Sequence, residues 1–247
     1  MMRAAIITGS NGGIGAALKA KFASEGYAVI GIGKSPDTQC CAEYIQADFA
    51  ALIENDNLRK NFGDELASML SKYELKALVN NSATQILAPL DGLSFEMFQE
   101  TLGVNVSFPF LLSKLCLKSL EATKGSIINV GSIHAKLTKK NFVAYATSKG
   151  ALETMTRAMA VDVGHLVRVN LIAPAAIETE MLKAGFCDDI DGYNKLKSFH
   201  PVGDIGSAAE LAKFIFTVTS EDFTFLNGGV IEYSGGIHGV LSDPSAL

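Results

Sequence analysis

The sequence predicts an α/β fold: a doubly wound parallel sheet of about seven strands with helices on both faces, in one domain over residues 1–247. Three observations predict it. Short apolar runs alternate with longer helical patterns along the whole chain, which is the signature of a sheet covered by helices. The runs lack strict polar alternation, as strands buried on both faces do. A cluster of glycines stands between the first run and the first helix, where the backbone must turn sharply.

The elements follow in order. Residues 3–8, Arg-Ala-Ala-Ile-Ile-Thr, form the first strand. Gly9, Ser10, Asn11, Gly12, Gly13, Ile14 and Gly15 follow, and Ala16, Leu18, Phe22 and Ala23 recur at helical spacing over 14–25. Strand, glycine turn and helix together form the context of a Rossmann-type dinucleotide-binding loop. The helix N-terminus there points free N–H groups at a pyrophosphate. No Gly-Lys-Ser/Thr follows, which disfavours a P-loop hydrolase. Further strands are expected at 27–32, 43–47, 76–80, 126–131, 167–172 and 229–233. Helices are expected at 51–72, 95–121, 143–163 and 207–219, the last opened by a capping box, Ser207-x-x-Glu210. A stretch at about 176–204 with Gly185, Gly192, Pro201 and Gly203 reads as one long irregular loop, and such loops are usually functional.

The helix 143–163 carries Tyr145 and Lys149 four residues apart, hence on one face. A free phenol has a pKa of about 10, and lowering it by about three units takes roughly 4 kcal/mol. One cation at about 4 Å, at an effective dielectric near 20, offers about that much. The pair therefore suits a proton donor at neutral pH.

Composition narrows the field. A net charge of −5 with mixed signs argues against nucleic-acid binding. No apolar run approaches a membrane span, and no secretory leader is evident. Of the four cysteines, Cys40 and Cys41 are adjacent while Cys116 and Cys187 stand alone. They read as reduced thiols of a cytoplasmic protein, with no metal site expected.

Seven stretches in order resemble the classical short-chain dehydrogenase/reductase family. Thr8-Gly9-Ser-Asn-Gly-Gly13-Ile14-Gly15 resembles its cofactor motif, and Asp48 looks like its adenine-contacting Asp. Leu78-Val79-Asn80-Asn81-Ser82-Ala83 resembles its Asn-Asn-Ala-Gly motif, and Val104-Asn105-Val106 the segment with its active-site Asn. Ile127-Ile128-Asn129-Val130-Gly131-Ser132 resembles the strand ending in its active-site Ser; Tyr145 and Lys149 match its Tyr-x-x-x-Lys pair; Val169-Asn170-Leu171-Ile172-Ala173-Pro174 resembles the strand before its nicotinamide loop. The chain departs from the pattern in three places: Ser82-Ala83 for Ala-Gly, Ala175 for Gly, and Ser234 for Asp.

The resemblance implies an oxidoreductase that interconverts a ketone or aldehyde with an alcohol. Tyr145 would be general acid and base, Lys149 would lower its pKa and bond the nicotinamide ribose, and Ser132 would steady the substrate oxygen. Asn105 would hold a water linking Lys149 to solvent. The cofactor would meet Gly9, Ser10, Asn11, Gly13, Ile14, Gly15, Lys34, Asp48, Phe49, Asn81, Ser82, Ala83, Tyr145, Lys149, Pro174, Ile177 and Thr179. His134 lies where the family often lines its substrate pocket, and with Lys136, Lys139 and Lys140 it makes a basic loop expected to attract an anionic or sugar-like substrate. The stretch 176–204 would cover the substrate, and helices 95–121 and 143–163 would pair subunits of a homotetramer. Gly33 stands where NAD-preferring relatives place an acidic residue, and Lys34 follows it, which points to NADP(H), with NAD(H) as the alternative. Gly33→Asp with Lys34→Ala is then expected to reverse the preference. A non-catalytic dinucleotide sensor is the rival reading, but it has no need of all four of Asn105, Ser132, Tyr145 and Lys149.

Overall fold

The computed structural model describes residues 1–37, 41–186 and 189–241; Cys40 and Cys187 lie outside them. Seven parallel strands form one sheet: β1 (Met2–Thr8), β2 (Ala28–Gly33), β3 (Glu43–Gln46), β4 (Tyr73–Asn80), β5 (Ser126–Val130), β6 (Arg168–Pro174) and β9 (Val230–Tyr233). They lie side by side in the order β3-β2-β1-β4-β5-β6-β9. The order reverses between β1 and β4, so the crevice at their carboxyl ends is a natural binding place.

The sheet is buried on both faces because alternate residues of a strand point to opposite sides. Ile6 packs with Ile30, Leu78, Leu66 and Phe108 on one face. Its neighbour Ile7 packs with Leu18, Phe22, Val79 and Ile215 on the other. Each such side chain contributes about 1.5–3 kcal/mol by leaving water. The first face is covered by α3 (Asp56–Leu70), α5 (Phe108–Thr123) and α6 (Val143–Val163). The second is covered by α1 (Gly13–Ser24) and α9 (Ala208–Thr219), which meet edge to face at Phe22 and Phe216. Ser207 caps α9 by accepting from Glu210 N–H, as the capping box predicts. Buried Arg168 holds the other end of α9, donating to the carbonyls of Val218, Thr219 and Ser220.

Three stretches differ from the sequence reading. The helix expected at 51–72 is two, α2 (Phe49–Glu54) and α3, because Asn55 leaves helical geometry and accepts from Leu58 N–H to start the second. The helix expected at 95–121 is α4 (Phe95–Leu102), a π turn (Gly103–Ser107) and α5. Pro109 fits the widening: its ring would crowd the Asn105 carbonyl four residues back, to which it has no N–H to offer. The stretch 176–204 is not plain loop. It holds β7 (Ile177–Glu178), α7 (Glu180–Ala184) and α8 (Ile190–Ser198), the last capped by Asp189. β7 pairs in parallel with β8 (Gly206–Ser207), which ties this segment to the start of α9. Among the described residues no helix is long and apolar enough to cross a membrane.

Candidate active site

The cleft is built from the turns that follow β1, β4, β5 and β6. After β1, Gly9 and Gly13 take left-handed backbone (φ 67° and 53°), open to glycine at little cost. A side chain at Gly15 would collide with the Gly9 carbonyl oxygen. α1 then begins on Gly12, which offers no side-chain cap. Its first N–H groups are left to an outside acceptor, as an anion site requires.

Thr8 locks this turn to the one after β4. Its hydroxyl accepts from the N–H groups of both Asn81 and Ser82 at 2.9 Å, and Asn81 returns its amide to the Thr8 carbonyl at 2.9 Å. Thr179, after β6, packs its methyl group against Gly13. The loops expected around a dinucleotide therefore touch one another. Ser10, Phe49 and Ile177 face away: Ser10 is buried beside Cys41, Phe49 stacks on Phe108, and Ile177 joins the core. Their side chains do not line the cleft in the chain alone.

Past the end of β2, Lys34 reaches Asp48 at 2.8 Å. Asp48 also caps α2, accepting from the N–H groups of Ala50 and Ala51. The hydrogen bond from Lys34 holds its carboxyl below the usual range, and Asp48 raises Lys34 in turn. The pair is mostly exposed, so it adds little to stability.

At the other end, β5 leads into Gly131 and Ser132, and α6 presents Tyr145, Ser148 and Lys149. Lys149 is 3% exposed and donates to the Val130 carbonyl at 2.8 Å. Burial pulls its pKa down to about 8. Its ammonium lies 5.6 Å from the centre of the Tyr145 ring. Burial pushes the Tyr145 phenol above its ordinary value, outweighing a smaller downward pull from Ser132. In the chain alone the lowering expected from Lys149 is absent: the ammonium is spent on a carbonyl, and desolvation disfavours the phenolate.

Asn105, in the π turn, is 1% exposed. Its side chain accepts from Thr84 N–H at 2.8 Å and donates to the Thr84 carbonyl and to Ser148 Oγ, both at 2.9 Å. It thus ties the β4 turn to α6, and no side-chain donor remains for a water. Ser148 in turn donates to the Tyr145 carbonyl at 2.7 Å. Beneath these runs a buried polar chain, from Asn80 to Asn129 at 2.8 Å and from Asn129 to Thr156 at 2.9 Å. Thr8, Thr84, Ser148 and Asn129 were missed as site residues. Thr8 and Asn129 sit inside motifs already read from the sequence, and Ser148 immediately precedes Lys149.

His134 stacks on Phe142 (4.4 Å between centres) and meets Tyr145 edge to face at 5.9 Å. Burial, then Lys139, lowers its pKa to about 4, so it is neutral near pH 7. The loop is therefore less basic than the sequence implies. Lys136 is paired with Glu232 at 3.0 Å, and Lys139 lies over the Phe142 ring.

A glycine-rich helix start with no side-chain cap after β1, and a Ser-Tyr-Lys group with its Lys buried after β5, at the carboxyl ends of one parallel sheet, are the parts of a dinucleotide-dependent oxidoreductase. The family model described as short chain dehydrogenase matches residues 3–188, and the chain belongs to that family. It is 30% identical to Protein FixR of Bradyrhizobium diazoefficiens, over 94% of this chain and 86% of that one. Aldohexose dehydrogenase of Thermoplasma acidophilum, in ligand-free form, shares its fold with a TM-score of 0.88 at 25% identity, covering 98% of this chain and 97% of that one. A putative NAD(P) dependent gluconate 5-dehydrogenase from Beutenbergia cavernae, with bound NADP, gives 0.85 at 26% identity, over 96% and 97%. Solved relatives thus include an NADP complex, and another was solved with NADH. The protein is a short-chain dehydrogenase/reductase, an oxidoreductase of the family that uses NAD(P).

Proposed function

We propose that the chain reduces a small-molecule ketone or aldehyde, or oxidises the matching alcohol, with NADP(H) preferred and Tyr145 as general acid and base. The observation that carries this is the placement of Tyr145 between Ser132 and Lys149 at the carboxyl end of β5. The glycine turn, with its crowded Gly15 and uncapped α1, fits the pyrophosphate of a dinucleotide. Lys149 would hold the nicotinamide ribose, Asp48 the adenine and Lys34 the 2′-phosphate. When bound, the nicotinamide supplies or accepts the hydride.

The remaining chemistry belongs to the chain. Ser132 donates to the substrate oxygen and steadies its developing charge. Tyr145 delivers the proton in reduction and removes it in oxidation. Lys149, still an ammonium below about pH 8, favours the phenolate left behind. The Asn105 carbonyl, which Pro109 cannot serve with an N–H, holds the water that returns the proton. Neutral His134 lines the substrate side and keeps the Tyr145 ring in place.

The single sheet, which gathers elements from both ends of the chain, supports reading residues 1–247 as one domain. Exposed Phe95 and Phe110 on α4 and α5 and Val161 on α6 support a homotetramer paired through those helices. The test is nicotinamide absorbance at 340 nm with both cofactors and a panel of carbonyls and alcohols. Turnover with NADPH above NADH is expected; no turnover with any of them would overturn the reading.

A further inference from the structure

The space at the end of β2 is filled from the neighbouring strand. Gly31 and Gly33 point to the same side of β2, two residues apart. Tyr44 of β3, paired with Gly31 in register, lays its ring across both. A side chain on Gly31 would start 2.6 Å from Tyr44 Cδ2, and one on Gly33 would start 2.7 Å from Tyr44 Oη. The two glycines are thus the slot that the ring occupies.

The hydroxyl is bonded on two sides. It donates to the Ser35 carbonyl at 2.6 Å and accepts from Asn11 Nδ2 at 3.1 Å. Asn11 belongs to the glycine turn and also donates to the Pro36 carbonyl at 2.8 Å. Gln46, two residues past Tyr44 on β3, donates to the Lys34 carbonyl at 3.0 Å. The turn carrying Lys34 is therefore fastened to β3 and to the glycine turn, with Tyr44 Oη at the junction.

We propose that Tyr44 is the positioning residue that sets cofactor choice at the adenosine 2′ position. Its hydroxyl stands 2.7 Å from where an acidic side chain at residue 33 would start. It also fixes the backbone from which Lys34 extends. An acidic group at the end of β2 is the device that reads a ribose 2′-hydroxyl, and here it is excluded by a residue on another strand. This rests on reading the cleft as a dinucleotide site. On this proposal Gly33→Asp with Lys34→Ala would not by itself reverse the preference, because the new carboxylate would have to displace a phenol bonded on two sides.

The test is titration of NADPH and NADH, by nicotinamide fluorescence, into the parent, Gly33→Asp, Tyr44→Phe and Gly33→Asp/Tyr44→Ala. Gly33→Asp is expected to lose affinity for both dinucleotides by about tenfold or more. Adding Tyr44→Ala should recover NADH and leave NADPH weak. Tyr44→Phe keeps the ring and drops its two bonds; NADPH should weaken several-fold more than NADH, whereas a purely structural role would weaken both alike. Gly33→Asp binding NADH better than the parent with Tyr44 in place would overturn the proposal, as would unchanged affinities in Tyr44→Phe. A parent that binds neither dinucleotide would overturn the cleft reading itself and this one with it.

Discussion

The ammonium of Lys149 is held by the carbonyl of Val130, 2.8 Å away at the end of β5. The bond places a cation two residues before Ser132 on the chain and under the Tyr145 ring. It also buries that cation almost completely. The site therefore carries a stability cost that only its chemistry explains, as strained active sites often do.

The cost is measurable. Burial takes the Lys149 pKa from 10.5 to about 8, which corresponds to about 3 kcal/mol. The unfolded chain binds the extra proton between those values, so stability should rise as pH goes from about 8 toward 10.5, and the full cost applies below 8. Lys149→Met removes the charge but leaves the Val130 carbonyl unpaired, a loss of about 1–3 kcal/mol. Urea unfolding should show the variant more stable at pH 7 by about 1 kcal/mol, with that pH dependence gone. A variant less stable than the parent would show that the ammonium stabilises the fold.

The same group sets a limb in the rate profile. The profile of kcat/KM reports groups of the free enzyme. Reduction should decline as pH rises through about 8, where Lys149 loses its proton. Tyr145 stays protonated over that range, since burial holds it above its ordinary value. A reductive kcat/KM flat from pH 7 to 9.5 would remove Lys149 from the chemistry.

Asn105 should matter to the fold as much as to the reaction. Asn105→Ala strands the Thr84 N–H and carbonyl and frees Ser148 Oγ. The expected loss is about 2–4 kcal/mol, given the price of unsatisfied buried polar groups. Chemical denaturation reads it, and a loss below about 0.5 kcal/mol would mean that water replaces the amide.

The glycines of the first turn are not equivalent. Gly15→Ala forces a collision with the Gly9 carbonyl, while a side chain at Gly12 meets nothing within 4 Å. Gly15→Ala should weaken dinucleotide binding by about tenfold or more and lower stability by about 1–3 kcal/mol. Gly12→Ala should change stability by no more than about 1 kcal/mol. Equal effects on unfolding would contradict the packing described for this turn.

Much of this was legible in the sequence for physical reasons. A parallel strand buried on both faces must be mostly apolar, so β1, β2, β5 and β6 stand out despite Asn129 and Asn170. The helical period puts Tyr145 and Lys149 on one face without any structure. The break at Asn55 was hidden because apolar spacing continues across it, and only the side-chain cap reveals it. The π turn had a signal, Pro109 four residues after Asn105, which was read past. The short helices inside 176–204 were masked by glycines that read as loop. The Tyr145 pKa depends on burial against a cation's direction, and the Tyr44 slot depends on strand register. Neither quantity exists along one dimension.

The most direct test of the central claim is Tyr145→Phe. It removes the transferable proton and leaves the ring against His134 and Phe142. Carbonyl reduction at saturating NADPH should fall by about 10²–10⁴-fold, the usual share of general acid catalysis, while NADPH affinity by fluorescence stays near the parent's. Turnover comparable to the parent's in this variant would contradict the account, because no other hydroxyl beside Ser132 is placed to deliver the proton among the groups described at the site.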